Sequence, residues 1–235
     1  MDTSSALSDF KKLISARFLF TLAVQMQGVV IGWRVYELTN DALALGLVGL
    51  AEAIPALSLA LYAGYIVDRS KPLGIYRWVL EISLISAVIL LASALLQNHI
   101  SLNWQIAALY IASVFSGASR AFSQPSMYAI MPHMTRREGL TKALAWMSTA
   151  MQVGRVAGPA LGGVIFGFMG LEISYGLICV LLVGALISTY SIHMDIQAPP
   201  ANSTKKTMVE ELKIFAPTKS LTPTSNFTSI ENFTK

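Results

Sequence analysis

The sequence predicts an all-α membrane protein built as a bundle of six transmembrane helices. Hydrophobic residues make up 54% of the 235 residues and charged residues only 13%, whereas soluble domains are about a quarter charged. Six long apolar runs alternate with short polar gaps, and the Lys and Arg residues of the loops fall in every second gap. This composition and spacing leave no room for a separate soluble domain.

Each apolar run is long enough to cross a bilayer as a helix, since a hydrocarbon core of roughly 30 Å needs about 20 helical residues. Continuous apolar runs without strict alternation indicate helices instead of barrel strands. The spans are predicted at residues 14–38, 43–66, 75–96, 104–130, 142–167 and 171–193. Residues 1–13 then form a short N-terminus. Residues 194–235, rich in Ser, Thr, Asn, Pro and Lys, are predicted to be a flexible tail or linker.

Basic residues predict the orientation of the bundle. They precede or open the first span and surround the second and fourth gaps, at Lys11, Lys12, Arg17, Arg69, Lys71, Arg77, Arg136, Arg137 and Lys142. Gaps 39–42, 97–103 and 168–170 contain no Lys or Arg. By the positive-inside rule both termini are cytoplasmic. The net charge of +4 therefore reflects topology, and nucleic acid is excluded as a partner.

Several polar residues fall deep inside the predicted spans. Glu52 lies about ten residues into the second span, roughly 15 Å deep, where an ionised group costs about 2.5–3.5 kcal/mol. Gln25, Gln152 and Arg155 reach a similar depth, so the four residues predict a polar layer of the kind a transport site needs. The alternative is that these side chains only form hydrogen bonds between helices.

The fourth span carries a polar stripe at spacings of three and four residues, formed by Ser113, Ser116, Arg120 and Ser123. Such spacing places the residues on one helix face, which predicts that this face is wet. Arg120 could instead extend to the headgroups by snorkelling. Arg34 and Glu81 lie near span ends, where positioning at the membrane surface is the better interpretation.

The fifth span contains two consecutive GxxxG steps, at Gly154, Gly158 and Gly162. Glycines at this spacing form a flat face that another helix can approach closely. Pro159 removes a backbone donor and is expected to bend or loosen the helix. The pattern fits either a moving interface or ordinary static packing.

Two stretches resemble the major facilitator superfamily. GYIVDRSKPLGIYR, residues 64–77, is similar to the loop between helices two and three of that family, and GRVAGPALGG, residues 154–163, matches the fifth-helix signature of its proton-coupled exporters. The resemblance covers about residues 10–195. Within it, the enterobactin-exporter-like branch is most similar in appearance to two stretches, RFLFTLAVQMQGVVIGWRVYELT and SRAFSQPSMYAIMP. The implied fold is one six-helix half of a major facilitator transporter.

The resemblance implies roles for both motifs. Gly64, Asp68, Arg69 and Arg77 would belong to a cytoplasmic gate, although Lys71 replaces the second glycine of the loop motif. In the fifth helix, close packing and bending during alternating access would depend on Gly154, Gly158, Pro159, Gly162 and Gly163.

The implied function is secondary active efflux of a small amphipathic solute or siderophore by proton antiport across a bacterial inner membrane. Glu52 is the preferred proton carrier, and Arg120, Gln25, Gln152 and Arg155 complete the pathway. The expected partners are the lipid bilayer, the solute and protons. Because the family uses twelve helices, the chain is expected to be the N-terminal half, from a truncated or frameshifted gene. The alternative is a six-helix protein without transport activity, or a homodimer that pairs through the Gly154–Gly162 face.

The sequence does not predict an enzyme. His99, His133 and His193 lie in different regions without HExxH spacing, and neither a GxSxG motif nor a phosphate-binding loop occurs. No cofactor and no metal site are expected.

Overall fold

The computed structural model of the chain describes residues 3–134 and 140–192. All regular structure within these residues is helical, and it consists of α1 (Thr3–Thr39), α2 (Ala42–Val67), α3 (Pro72–Leu95), α4 (Leu102–Met134), α5 (Leu140–Met169) and α6 (Leu171–Tyr190). The six helices and their order confirm the predicted fold class. The predicted tail, residues 194–235, lies outside the described residues.

The helix ends follow local chemistry. The Asp41 side chain accepts a hydrogen bond of 2.8 Å from the backbone N–H of Leu43 and so caps the start of α2. Pro72 opens α3, where its missing N–H and fixed φ are tolerated. Gly170 separates α5 from α6 with φ of 85°, a backbone conformation that glycine adopts without strain.

Helix α1 runs through the interior of the bundle. It packs mainly against α5 and α6, whereas α2 packs against α4, and α3 packs against α4 and α6. Many apolar residues of α1 are buried, including Val30 and Met26, which are fully covered. The α1 helix begins at Thr3, well before the predicted start at residue 14, because the apolar run marks only the lipid-facing part of the helix.

Five of these helices, all except α5, are long and apolar enough by length and composition to cross a membrane. Helix α5 carries Gln152, Arg155 and five glycines. It packs mainly against α1 and makes smaller contacts with α6 and α4. The outer surface of the bundle is strongly apolar: Leu61 on α2 is 90% exposed and Phe168 on α5 is 89% exposed. Such a surface is suited to lipid or to another apolar protein surface.

Polar side chains also connect the helices. The Gln27 amide donates a 2.9 Å hydrogen bond to the hydroxyl of Ser86 on α3, and that hydroxyl donates to the Ala112 carbonyl on α4. Arg34, predicted to position α1 at the surface, binds Gln97 at 3.0 Å and Gln105 at 3.2 Å. Arg34 therefore ties the end of α1 to the connection between α3 and α4.

Candidate transport site

Glu52 and Arg120 form an ion pair between α2 and α4. Glu52 Oε1 lies 2.9 Å from Nη1 of Arg120, and it also accepts a 3.3 Å hydrogen bond from the Ser116 hydroxyl. The Glu52 side chain is 23% exposed and that of Arg120 is 41% exposed. The deep acid predicted from the sequence is therefore compensated by a cation on the neighbouring helix.

The ion pair depends on a close approach of the two helices at Gly117. A methyl group in place of the Gly117 hydrogen would overlap the backbone carbonyl oxygen of Glu52 and lie 2.9 Å from Cγ of Pro55. Only glycine has no Cβ, so only glycine permits this contact. Ser116 and Arg120, one residue before and three residues after Gly117, are thereby brought within reach of Glu52.

A cavity of about 380 Å³ lies between α1, α4 and α5 beside this ion pair. Its volume falls within the range of about 300–1,000 Å³ that is typical of small-molecule sites. The lining residues are Arg17, Phe20, Thr21, Val24, Gln25, Arg120, Ser123, Gln124, Met151 and Arg155. Glu52 is not one of them, so the acid predicted to face the cavity adjoins it through Arg120.

The predicted polar layer is only partly assembled around the cavity. Arg120 donates a hydrogen bond to the amide oxygen of Gln25, which joins α4 to α1. Arg155 lines the same cavity from α5 and lies 3.4 Å from the amide oxygen of Gln152. Gln152 does not line the cavity, and its connection to the site is through Arg155 alone.

The predicted wet stripe on α4 also divides into two parts. Ser113 is buried and donates to the Leu109 carbonyl of its own helix, so its place on a wet face is not supported. Ser116 binds Glu52, whereas Arg120 and Ser123 reach the cavity. Periodicity predicts which residues share a helix face, but it does not predict that each one is wet, because a serine hydroxyl is readily satisfied by the preceding turn of its own helix.

Arg17 is a site residue that the sequence interpretation assigned to the membrane edge. It is only 3% exposed and donates to the Ser123 hydroxyl and, at 2.8 Å, to Oε1 of Gln124 on α4. Because α1 begins at Thr3, Arg17 lies well inside the helix and not at its start. The signal in the sequence was the neighbouring pair of acceptors on α4, which follows Arg120 by three and four residues.

The loop motif does not form a single cluster. Asp68 ends α2, where its backbone N–H donates to the Gly64 carbonyl. The Arg69 guanidinium stacks on the ring of Tyr65, 4.1 Å from its centroid, and donates to the Tyr65 hydroxyl. Each of these contacts is local to the end of α2.

Arg77 is placed elsewhere, between α3 and α6. It donates a 3.3 Å hydrogen bond to the Thr189 carbonyl and stacks 4.6 Å from the centroid of the Tyr190 ring. The Tyr190 hydroxyl in turn donates to Oε1 of Glu81 at 2.7 Å. Arg77 and Glu81 thus hold α3 to the end of α6, which gives Glu81 a specific partner beyond general surface positioning.

The glycine face of α5 is occupied by α1. Methyl groups at Gly154, Gly158 and Gly162 would lie 3.1 Å from Thr21 Cβ, 2.6 Å from Gln25 Cβ and 3.1 Å from Met26 Cα. The fifth-span prediction of a close helix approach is therefore confirmed for these three positions. A homodimer through this face, one alternative from the sequence, would have to displace α1 from these glycines.

The last two residues of the motif differ from the other three. Gly163 has open space around it within 4 Å, so it does not belong to the packed face. Pro159 lies inside α5, and the helix continues past it to Met169.

Comparisons with known proteins agree with this architecture. The family model of the Major Facilitator Superfamily matches residues 13–230. The Staphyloferrin A transporter of Staphylococcus aureus is 22% identical over 208 residues, which cover 87% of this chain and 51% of that protein. Multidrug resistance protein 2 of Bacillus subtilis is 30% identical over 94 residues, 39% of this chain and 24% of that protein.

A solved structure shows the same fold. A bacterial homologue of the iron transporter ferroportin, in an outward-facing state with soaked iron, superposes with a TM-score of 0.65 at 16% identity, covering 83% of this chain and 52% of that one. The chain thus spans about half the length of the Staphyloferrin A transporter and of this structure. The extent of the family match and the six-helix bundle lead to one conclusion: the chain belongs to the major facilitator superfamily.

Proposed function

We propose that the chain is the N-terminal half of a secondary active transporter that exports a small amphipathic solute or siderophore in exchange for protons. In this proposal it lies in a bacterial inner membrane with both termini in the cytoplasm. The names of the relatives, a siderophore transporter and a multidrug resistance protein, support the solute class. The cavity of about 380 Å³ between α1, α4 and α5 is the proposed solute site.

The Glu52–Arg120 ion pair is the observation that carries the proposal. Ionised Glu52 attracts Arg120 across 2.9 Å, and the attraction is strong where water is scarce. Protonation of Glu52 removes this attraction, which weakens the contact between α2 and α4 and releases the Arg120 guanidinium toward the cavity. Proton binding would thus change both a helix contact and a group of the solute site.

The glycine contacts offer surfaces along which the helices could move. Gly117 brings α4 close to α2, and the Gly154–Gly162 face brings α5 close to α1. Alternating access in transporters of this kind is a rocking of one bundle against another around a fixed site. In the proposal, Gly64, Asp68, Arg69 and Arg77 contribute to a cytoplasmic gate through the end of α2 and the contact between α3 and α6.

Glu52→Gln is expected to abolish proton coupling while leaving the fold intact, because glutamine keeps the shape and the hydrogen-bond acceptor but cannot be ionised. The measurement is pH-gradient-driven movement of staphyloferrin A, the solute in the name of one relative, with the accompanying proton flux, in vesicles that contain the chain joined to the C-terminal half of a full-length relative. Glu37→Gln is the matched control, since Glu37 pairs with Arg34 at the far end of α1. Unchanged proton flux in Glu52→Gln would refute the assignment.

A six-helix protein without transport activity is the second candidate. The observation behind it is that the ten residues lining the cavity all belong to α1, α4 and α5 of this one bundle. Vesicle efflux measured with the chain joined to the C-terminal half of a full-length relative separates the candidates, since a chain without transport activity would give none even then. Crosslinking in membranes would reveal any homodimer.

A further inference from the structure

We propose that the cavity between α1, α4 and α5 binds a small polycarboxylate through the guanidinium groups of Arg17, Arg120 and Arg155. This inference rests on the proposed transport function and specifies its substrate class. The three arginines come from three different helices, and the ten lining residues include no Asp or Glu. The cavity wall therefore carries three formal positive charges.

Only one of these charges is compensated by a described carboxylate. Glu52 pairs with Arg120 at 2.9 Å. The acceptors described for Arg17 are neutral, namely Ser123, Gln124 and the sulfur of Met151 at 3.6 Å. Arg155 binds the neutral amide of Gln152. Among the described residues, two cations of the cavity are thus left without an acidic partner.

Arg17 makes the imbalance costly. Only 3% of its surface is exposed, and a buried charge is disfavoured unless it is paired. Its Nε also has no hydrogen-bond acceptor among the described residues. A bound anion would supply both the missing charge and an acceptor, whereas a cationic solute would be repelled.

The chemistry of the lining favours carboxylates in particular. Arginine presents a planar fork of donors that matches the two oxygens of a carboxylate. Thr21 and Ser123 add hydroxyls, and Gln25 and Gln124 add amides, while Phe20 and Val24 offer apolar contact to a carbon backbone. Three arginines from separate helices suit a ligand with several carboxylates. A lipid phosphate shares the anionic oxygens, so the experiment must separate the two sources.

The test uses citrate as the probe and the purified chain in phosphatidylcholine nanodiscs, with binding measured by titration calorimetry. Citrate is expected to bind, and triethyl citrate, which has the same carbon skeleton without charge, is expected not to bind. Arg155→Gln should weaken citrate binding by about tenfold or more, because one charge-assisted contact is lost. Arg155 is exposed, so its replacement does not endanger folding as replacement of buried Arg17 could. Arg155→Lys, which keeps the charge, should recover part of the affinity.

Arg34→Gln is the matched control, because Arg34 lies near the opposite end of α1 among Glu37, Gln97 and Gln105. It should leave citrate affinity unchanged. Equal citrate affinity in Arg155→Gln and Arg34→Gln, or no citrate binding by the chain, would overturn the polycarboxylate site. Loss of citrate binding in nanodiscs containing phosphatidylglycerol would identify a lipid headgroup as the occupant and also overturn it.

The same measurements separate this inference from the proposed function. Citrate binding without staphyloferrin A transport would support the anion site and count against transport. Staphyloferrin A transport without citrate binding would retain the transport function and overturn the anion site alone.

Discussion

Replacement of Gly117 by alanine is expected to destabilise the bundle by about 1–3 kcal/mol, the usual cost of inserting extra volume into a packed interior. The new methyl group would overlap the Glu52 carbonyl oxygen and lie 2.9 Å from both the Glu52 carbonyl carbon and Pro55 Cγ. Two of these three atoms are backbone atoms, which cannot rotate away. Helices α2 and α4 would have to separate, and the Glu52–Arg120 ion pair would lengthen with them.

The effect of Gly117→Ala can be measured as a lower midpoint of thermal unfolding in detergent micelles. Gly46→Ala and Gly49→Ala on α2 are matched controls, because a methyl group at either position meets nothing within 4 Å. Alanine has the higher helix propensity, so the controls should be neutral or slightly stabilising. Equal midpoints in all three variants would contradict the close approach of α2 and α4.

The fold could be predicted from the sequence because lipid imposes a simple rule on the chain. Backbone groups must be satisfied within each segment, so long apolar runs become helices, and polar gaps become their connections. The ends of the helices were less predictable, because a helix continues for as long as its backbone hydrogen bonds do. Helix α1 therefore begins at Thr3, although apolar residues dominate only from about residue 13.

Part of the candidate site could also be predicted, because charge is costly in lipid. That cost identified Glu52 as a candidate. An ordered polar layer agrees with two contacts, the Glu52–Arg120 ion pair and the Arg120–Gln25 hydrogen bond. Arg17 was assigned to the membrane edge, because the apolar run begins only a few residues before it. Partners of a polar residue depend on how helices face each other, which periodicity within one helix does not specify.

Gly117 and the separation of the loop motif illustrate the same limit. A single glycine has no spacing pattern, so only the position of α2 reveals why no side chain fits at Gly117. Arg77 is close in sequence to Asp68, yet it binds Thr189 and Tyr190 on α6. By contrast, the prediction that the chain is not an enzyme is confirmed by its membership of a transporter family.

Gly158→Ala is expected to have the second large effect, because it would force α5 away from α1. The added methyl group would lie 2.6 Å from Gln25 Cβ and 3.0 Å from the Leu22 carbonyl oxygen. Gln25 accepts a hydrogen bond from Arg120 and lines the cavity. The substitution should therefore lower stability by about 1–3 kcal/mol and also displace one wall of the candidate site.

Gly163→Ala provides a matched control in the same motif, since a methyl group there meets nothing within 4 Å. Thermal unfolding and accessibility of a cysteine introduced at Gln25 are the two measurements. Gly158→Ala should lower the unfolding midpoint and change the labelling rate at position 25, whereas Gly163→Ala should change neither. If both variants behaved alike, the motif would act through glycine content and not through the contact with α1. The comparison tests whether the contact between α5 and α1, made by glycines four residues apart, supports both the packing of the bundle and the geometry of its cavity.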